Sequence, residues 1–119
     1  MLSSIQGTDI YLIDQILKGR YEQGGTILDA GCGSGRNLRY FLQQRFDCHA
    51  VDLNPECPGK LQERFGVQAE QIEFVQCPVH AMPYKSNQFD HVLCNAVLHF
   101  ASSFAECKIV FAELVRVLK

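Results

Sequence analysis

The sequence predicts an α/β fold in which helices cover both faces of a parallel sheet of about four strands. Short apolar runs alternate with segments of helical periodicity, as in sheets built from strands and crossover helices. The first run leads directly into a glycine-rich segment, Gly31 to Gly35, and the first two runs end in Asp29 and Asp52. With 119 residues, the chain has the length of one domain, so we expect residues 1–119 to form a single unit.

The individual elements follow from local patterns. An N-terminal helix is predicted over residues 1–22, because Ile10, Ile13 and Leu17 recur at helical spacing. The sheet-forming core is predicted over residues 26–119. We expect its strands at residues 26–28, 48–52, 72–75 and 89–94, and its helices from about Leu38, over residues 61–65 and after Ser103. The last helix should present one apolar face, formed by Cys107, Val110, Phe111, Leu114 and Leu118.

The strongest functional signal is the segment from Ile27 to Asn37, which joins the first strand to the next helix. Gly31 and Gly33 can adopt backbone angles closed to other residues, and they leave no side chain between the backbone and a ligand. The N-terminus of the helix that follows points free N–H groups at the same place. Asp29 adds a carboxylate that suits a positively charged group. These features predict a ligand site at the carboxyl edge of the sheet.

A second signal lies 21 positions after Gly31, where Asp52 ends the second strand. A carboxylate there can accept hydrogen bonds from both hydroxyls of a ribose. Leu53 beside it offers an apolar face to a purine. Because the two signals occur in register, they are far more specific together than a glycine-rich loop alone.

The quoted residues resemble a known family. Residues 27–37, ILDAGCGSGRN, and residues 50–55, AVDLNP, resemble the first two motifs of the class I S-adenosylmethionine-dependent methyltransferases, in particular their type 11 and type 25-like small-molecule branch. Residues 82–90 are similar to the stretch that enters that family's fourth strand, and residues 112–119 to the helix before its fifth strand. The resemblance spans residues 24–119, which is nearly the whole chain.

The resemblance implies a Rossmann-like sheet with strand order 3-2-1-4, S-adenosyl-L-methionine as cofactor, S-adenosyl-L-homocysteine as product and a small-molecule methyl acceptor. It places Asp29, Gly31 and Gly33 at the methionine end of the cofactor. Asp52 would bind the ribose, and Leu53 would touch the adenine. The full set of implied cofactor-binding residues is Asp29, Gly31, Cys32, Gly33, Gly35, Asp52, Leu53, Val79, His80 and Asn95. His99 is a candidate general base beside the acceptor.

The chain departs from the family pattern in two places. Pro78 stands where the family often has an acidic residue that contacts the adenine amino group, and proline offers neither a side-chain acceptor nor an N–H. The sequence also stops at Lys119, before a fifth strand. We therefore expect a truncated fold with an exposed edge at the fourth strand, covered by a second copy in a homodimer or by another chain, or else a fragment of a longer protein.

Two other function classes stay open at this point. A dinucleotide-dependent oxidoreductase would show G-x-G-x-x-G, but its third glycine position is occupied by Arg36. A non-catalytic module that binds the cofactor, or only assembles, is consistent with Pro78 and the short sheet. Nucleic acid is not expected as a partner, because the net charge is −2 and no basic face is evident.

Composition and cysteine spacing indicate the compartment. Apolar residues make up 47% of the chain, but no run approaches the roughly 20 apolar residues of a membrane span. The first ten residues lack the features of a signal peptide, so a cytoplasmic protein without a membrane partner is expected. The six cysteines form no CxxC pair, so we expect reduced core thiols and no metal ion.

Overall fold

The strands of the sheet are those the sequence predicts. The computed structural model describes Tyr21, residues 24–94 and residues 104–119. Within them, one parallel sheet has the order β3-β2-β1-β4, formed by β1 (Thr26–Ala30), β2 (Asp47–Asp52), β3 (Ile72–Gln76) and β4 (His91–Leu93). The predicted α/β class and the 3-2-1-4 order are confirmed. The predicted helix over residues 1–22, Tyr21 apart, lies outside the described residues, as does Ser103, after which the last helix is predicted.

Both faces of the sheet are buried, as is typical of parallel sheets. Successive residues of a strand point to opposite faces, so Ile27 and Leu28 of β1 belong to two different apolar clusters. The first cluster packs the sheet against Phe41 and Leu61, and the second packs it against Phe89 and other side chains that follow β3. The central strand β1 is thereby held from both sides.

Three α-helices connect or follow the strands: α1 (Arg39–Gln43), α2 (Cys57–Phe65) and α3 (Phe104–Val117). A 3-10 helix, Gly66–Gln71, leads from α2 into β3. Helix α2 begins at Cys57 and not near Leu61, because Pro58 lies in its first turn, where a missing N–H costs nothing. The helix predicted over residues 61–65 is therefore longer than predicted, at nine residues.

The fourth strand is shorter than predicted. Only His91–Leu93 pairs with β1 as a strand, whereas Phe89 forms an isolated parallel bridge with Leu118. The N–H of Phe89 donates to the carbonyl of Val117 (2.9 Å), and the N–H of Lys119 donates to the carbonyl of Phe89 (2.9 Å). The predicted open edge is therefore covered at its beginning by residues of the chain itself.

The buried face of α3 also differs from the prediction. Phe111 is 63% exposed, whereas Val117, absent from the predicted face, is fully buried beside Phe89. Helical periodicity allows two adjacent stripes on this apolar helix, and the packing selects the one through Leu114 and Val117. Among the described residues, no helix is both long and apolar enough to cross a membrane.

Candidate cofactor-binding site

The glycine-rich loop leaves β1 along the end of β2. The N–H groups of Gly31 and Cys32 both donate to the carbonyl of Val51, at 2.8 and 3.0 Å. Gly31, Gly33 and Gly35 have φ angles of 75°, 56° and 75°, which glycine adopts at little cost. The prediction that these glycines are needed for the backbone path is confirmed.

The glycines of this loop have different surroundings. A Cβ atom at Gly33 would meet nothing within 4 Å, so this part of the loop borders open space. A Cβ atom at Gly35 would collide with Leu61 and approach Phe65 to 3.0 Å. Gly35 therefore lets the loop pack on α2, and Gly33 leaves the backbone accessible to a ligand.

The N-terminus of the helix after the loop contributes less to the predicted ligand edge of the sheet than expected. Helix α1 starts only at Arg39 and is five residues long, with no side-chain hydrogen bond at its first turn. The residues between Gly31 and Arg39 form turns, in which the N–H of Gly35 donates to the carbonyl of Cys32 (2.9 Å). The backbone of the loop, more than a helix end, shapes this part of the site.

Asp52 ties the loop to the second strand. Its Oδ2 accepts a hydrogen bond from the N–H of Gly33 (3.0 Å), and its Oδ1 accepts one from the N–H of Asn54 (2.9 Å). A carboxylate oxygen has two lone pairs, so each oxygen can accept one more hydrogen bond. Asp52 is half-buried and thus pre-oriented while still accessible.

Asp29 is a buried acid at the end of β1, with 3% of its surface exposed. Burial and the negative charge of Asp52 raise its pKa to about 7, against the opposing effect of Arg36. A cation bound beside Asp29 would favour the ionised form of its carboxyl group, which burial and the second acid disfavour. Such a perturbed acid next to an open loop is typical of a functional site.

Cys32 is a buried neighbour of this pair. Burial raises the pKa of its thiol, and the negative charge of Asp29 raises it further. Cys57, the first residue of α2, is also buried, and its thiol lies beside Cys32 and Asp52. Both thiols stay protonated near neutral pH, which makes them poor nucleophiles.

The remaining predicted residues are placed unevenly. Leu53 follows β2 and is 60% exposed. Val79 and His80 follow β3; Val79 is partly buried in the second cluster, and His80 is exposed. Because β1, β2 and β3 are parallel, all three segments leave the same edge of the sheet. Asn95 and His99 lie outside the described residues, so their roles stay predictions.

Sequence reasoning missed the side chains that support this edge. Arg64 of α2 donates from Nε to the carbonyl of Ser34 (2.9 Å) and so braces the glycine-rich loop. Asn54 accepts a hydrogen bond from the N–H of Glu56 at its Oδ1 (2.9 Å), which shapes the turn after Asp52. The Asn54-Pro55 pair is a turn signal in the sequence. Nothing local to Arg64 predicts its contact.

A third support comes from α3. Arg116 donates to the carbonyl oxygens of Met82 (3.2 Å) and Tyr84 (2.8 Å), and Glu113 accepts from the N–H of Met82 (2.7 Å). Arg116 and Glu113 are themselves paired, with Nε and Oε1 2.6 Å apart. The two side chains hold the segment that carries Val79 and His80 against the sheet.

Comparison with known proteins adds to this geometry. Residues 28–119 match a family model described as a methyltransferase domain. The "Uncharacterized methyltransferase YodH" of Bacillus subtilis is 33% identical over 93 residues, which cover 78% of this chain and 38% of that protein. The malonyl-[acyl-carrier protein] O-methyltransferase of Enterobacter lignolyticus is 33% identical over 93 residues, covering 78% of this chain and 34% of that protein.

A solved structure agrees at the level of the fold and of sequence. The 1,6-didemethyltoxoflavin-N1-methyltransferase of Burkholderia thailandensis, with bound 1,6-didemethyltoxoflavin and S-adenosylhomocysteine, has a TM-score of 0.72 and is 31% identical. The match covers 96% of this chain and 49% of that one. The chain thus spans about half the length of this structure and less of the two curated relatives.

Proposed function

The chain belongs to the methyltransferase domain family, and on that premise we propose that it takes part in methyl transfer from S-adenosyl-L-methionine to a small-molecule acceptor. One observation carries the proposal: two carboxylates, Asp29 and Asp52, flank a glycine loop whose backbone at Gly33 borders open space. The cofactor offers an ammonium group and a ribose, which match a buried acid and a pre-oriented carboxylate.

The residues present fit this cofactor. Asp52 has one free acceptor site on each carboxylate oxygen for the two ribose hydroxyls, and Leu53 supplies exposed apolar surface for the adenine. Asp29 would pair with the ammonium group, with Gly31 and Gly33 allowing close approach of the backbone. Cys32 and Gly35 would act through the shape of the loop. When bound, S-adenosyl-L-methionine supplies a methyl group on a positively charged sulfur that is already electrophilic.

For this chemistry the main tasks of the protein are to align the acceptor with the cofactor and to exclude water. Val79 and His80 are proposed to flank the adenine, a role supported by their place after β3 on the same edge. Pro78 offers no side-chain acceptor, so recognition of the adenine amino group would rest on backbone groups or on His80. Asn95 is proposed near the methionine end and His99 as general base for the acceptor.

The acceptor is proposed to receive the methyl group on an oxygen or a nitrogen atom. Two relatives support this range, since one is an O-methyltransferase of malonyl-[acyl-carrier protein] and the other an N1-methyltransferase of 1,6-didemethyltoxoflavin. Both names denote enzymes and so favour catalysis over a non-catalytic module. The six cysteines, all without a disulfide, support the proposal of a reducing cytoplasmic compartment.

A homodimer paired along the edge of β4 is proposed as the assembly. Among the described residues, the start of this edge is bridged at Phe89 by Leu118, and α3 exposes Phe104 and Phe111 at 79% and 63%. Light scattering at tens of micromolar should give twice the chain mass. A stable monomer at that concentration would argue against edge pairing.

Calorimetric titration tests the function. We expect S-adenosylhomocysteine to bind with a Kd in the micromolar range and NAD not to bind. Asp52→Asn should weaken binding by about 10- to 100-fold, because the amide cannot accept from both hydroxyls. Asp47→Asn is the matched control, since Asp47 begins the same strand at its opposite end and is exposed. Equal loss in both variants, or binding of NAD alone, would reject the proposal.

A further inference from the structure

Three potential metal ligands from separate elements meet beside the glycine-rich loop. The Sγ atoms of Cys32 and Cys57 and a carboxylate oxygen of Asp52 all lie within 4.8 Å of one another. Cys32 belongs to the loop after β1, Asp52 ends β2 and Cys57 begins α2. The sequence signals no such site, because short CxxC spacing reveals only ligands that are close along the chain.

We propose that Cys32, Cys57 and Asp52 bind a thiophilic divalent ion of the Zn²⁺ class. Zinc takes thiolate and carboxylate ligands in a tetrahedron, with Zn–S distances of about 2.3 Å and hence sulfur–sulfur separations of roughly 3.8 Å. The mutual distances of the three donor atoms are at most 4.8 Å, so they exceed that sulfur–sulfur separation by no more than about 1 Å. Three protein ligands leave the fourth position to solvent.

The three side chains are held in place before any ion binds. The carboxylate of Asp52 is fixed by the N–H groups of Gly33 and Asn54, and the Cys32 backbone is fixed by Val51. Cys57 is fully buried, and its N–H donates to the carbonyl of Asn54 (3.2 Å), two residues after Asp52. An ion therefore replaces existing contacts among the donors and requires little rearrangement of the backbone.

Binding also has a defined proton balance. The ion displaces one proton from each thiol, so two protons pass to solvent for each Zn²⁺ bound, and no oxidant or reductant is consumed. Metal coordination deprotonates a thiol even where burial disfavours the free thiolate. The site is therefore compatible with thiols that are protonated in the metal-free protein.

The metal site should also affect binding of the cofactor, and this inference rests on the proposed function. Asp52 would serve both the ion and the ribose hydroxyls, so the two ligands should compete. An ion on Asp52 withdraws the acceptor oxygens from the nucleoside. Occupancy by Zn²⁺ should lower the affinity for S-adenosylhomocysteine roughly tenfold or more.

Cobalt substitution tests the site without reference to activity. Addition of Co²⁺ to the reduced, metal-free protein should produce a sulfur-to-cobalt charge-transfer band with the intensity of two thiolates, which Zn²⁺ then abolishes. Cys57→Ser should lower that intensity by about half. Cys77→Ser is the matched control, because Cys77 lies outside the trio and its loss should leave the band unchanged. Cys57→Ala serves as a second variant, and thermal unfolding checks the fold of each.

The outcomes separate the two proposals. Absence of the band, an equal band in Cys57→Ser, or an equal loss in Cys77→Ser would overturn the metal site. Titration of S-adenosylhomocysteine with and without Zn²⁺ tests the competition, which Cys57→Ser should relieve. Affinity unaffected by Zn²⁺ would overturn the shared role of Asp52. Failure of the nucleoside to bind at all would count against the proposed function, while the cobalt spectrum would still decide the metal site.

Discussion

The glycine-rich loop and the beginning of the segment from Cys77 to Asp90 border the same ligand edge, but the loop and the segment are held in different ways. The loop is fixed by its own glycines and by the backbone and carboxylate at the end of the neighbouring strand β2. The second segment is fixed by side chains of α3, about thirty positions away, through Glu113 and Arg116. The backbone path of the loop depends on its own glycines, and Asp52 and Arg64 brace it from β2 and α2. The segment is held by side chains of α3, which follows it in the chain.

The largest expected effect is a difference in stability between alanine substitutions at two glycines of the loop. Gly35→Ala forces a Cβ atom into Leu61 at a positive φ angle and should lower the free energy of unfolding by roughly 3–5 kcal/mol. Gly33→Ala meets only the cost of its φ angle, about 1 kcal/mol, because its surroundings are open. Urea unfolding of both variants measures the difference, and equal destabilisation would contradict the packing role of Gly35.

Asp29 should make stability depend on pH. Its pKa of about 7 lies above the ordinary value of 3.8, so between these limits the folded chain holds a proton that the unfolded chain has lost. The free energy of unfolding should therefore fall as the pH rises from 4 to 7, by roughly 2–4 kcal/mol in total. Asp29→Asn should remove this dependence and be more stable than the wild type at pH 8.

The same substitution tests binding. Asp29→Asn should weaken S-adenosylhomocysteine binding at pH 8. At pH 6, where Asp29 is mostly protonated, the affinities of the variant and the wild type should differ less. Calorimetry at the two pH values gives both affinities. A wild-type affinity that falls as the pH rises from 6 to 8 would contradict the role of an ionised Asp29 against the ammonium group.

The contact between α3 and the segment should show a smaller effect. Glu113→Gln loses the charge that Arg116 pairs with and weakens the hydrogen bond from the N–H of Met82, so Tm should fall by about 3–6 °C. Limited proteolysis should cut first between Pro78 and Gln88. Faster cleavage in the glycine-rich loop would contradict the separate support of the two regions.

The smallest effect is expected at the far edge of the sheet. Asp90 accepts from the N–H of Thr26 (2.9 Å) and lies 3.1 Å from the Nζ of Lys119, and these contacts lower its pKa to about 2. Asp90→Asn should lower Tm by no more than about 2 °C near neutral pH, because the site is exposed and salt-screened. The difference should shrink as the pH falls from 4 to 2, because the wild-type carboxylate becomes protonated as the pH approaches its pKa.

Prediction from the sequence was most accurate where a single segment of the chain determines the local structure. Apolar runs placed the strands β1 to β3 within one or two residues, and Gly31, Gly33 and Asp52 lie together at the predicted edge. Prediction was weaker where distant residues meet. Phe89 forms a bridge with Leu118 and is not part of β4, and no local pattern reveals this contact.

Side-chain clusters across elements were the least predictable part of the site. Cys57 entered the sequence analysis only as a core thiol, because nothing near it indicates Cys32 and Asp52 as neighbours. Arg116 likewise looks like a solvent-exposed residue at a helix end, although it donates to two carbonyl groups of another segment. Such contacts depend on the packing of α2 and α3 and not on periodicity.

The most direct test of the cofactor site is a residue-by-residue map of binding. Nuclear magnetic resonance of the isotope-labelled chain, titrated with S-adenosylhomocysteine, reports each backbone amide. We expect the largest shifts at Gly31 to Gly35, Asp52 and Leu53, with smaller shifts at Val79 and His80, and none at Asp47 at the opposite edge. Shifts centred on Asp47, or none at saturating ligand, would contradict the proposed cofactor site.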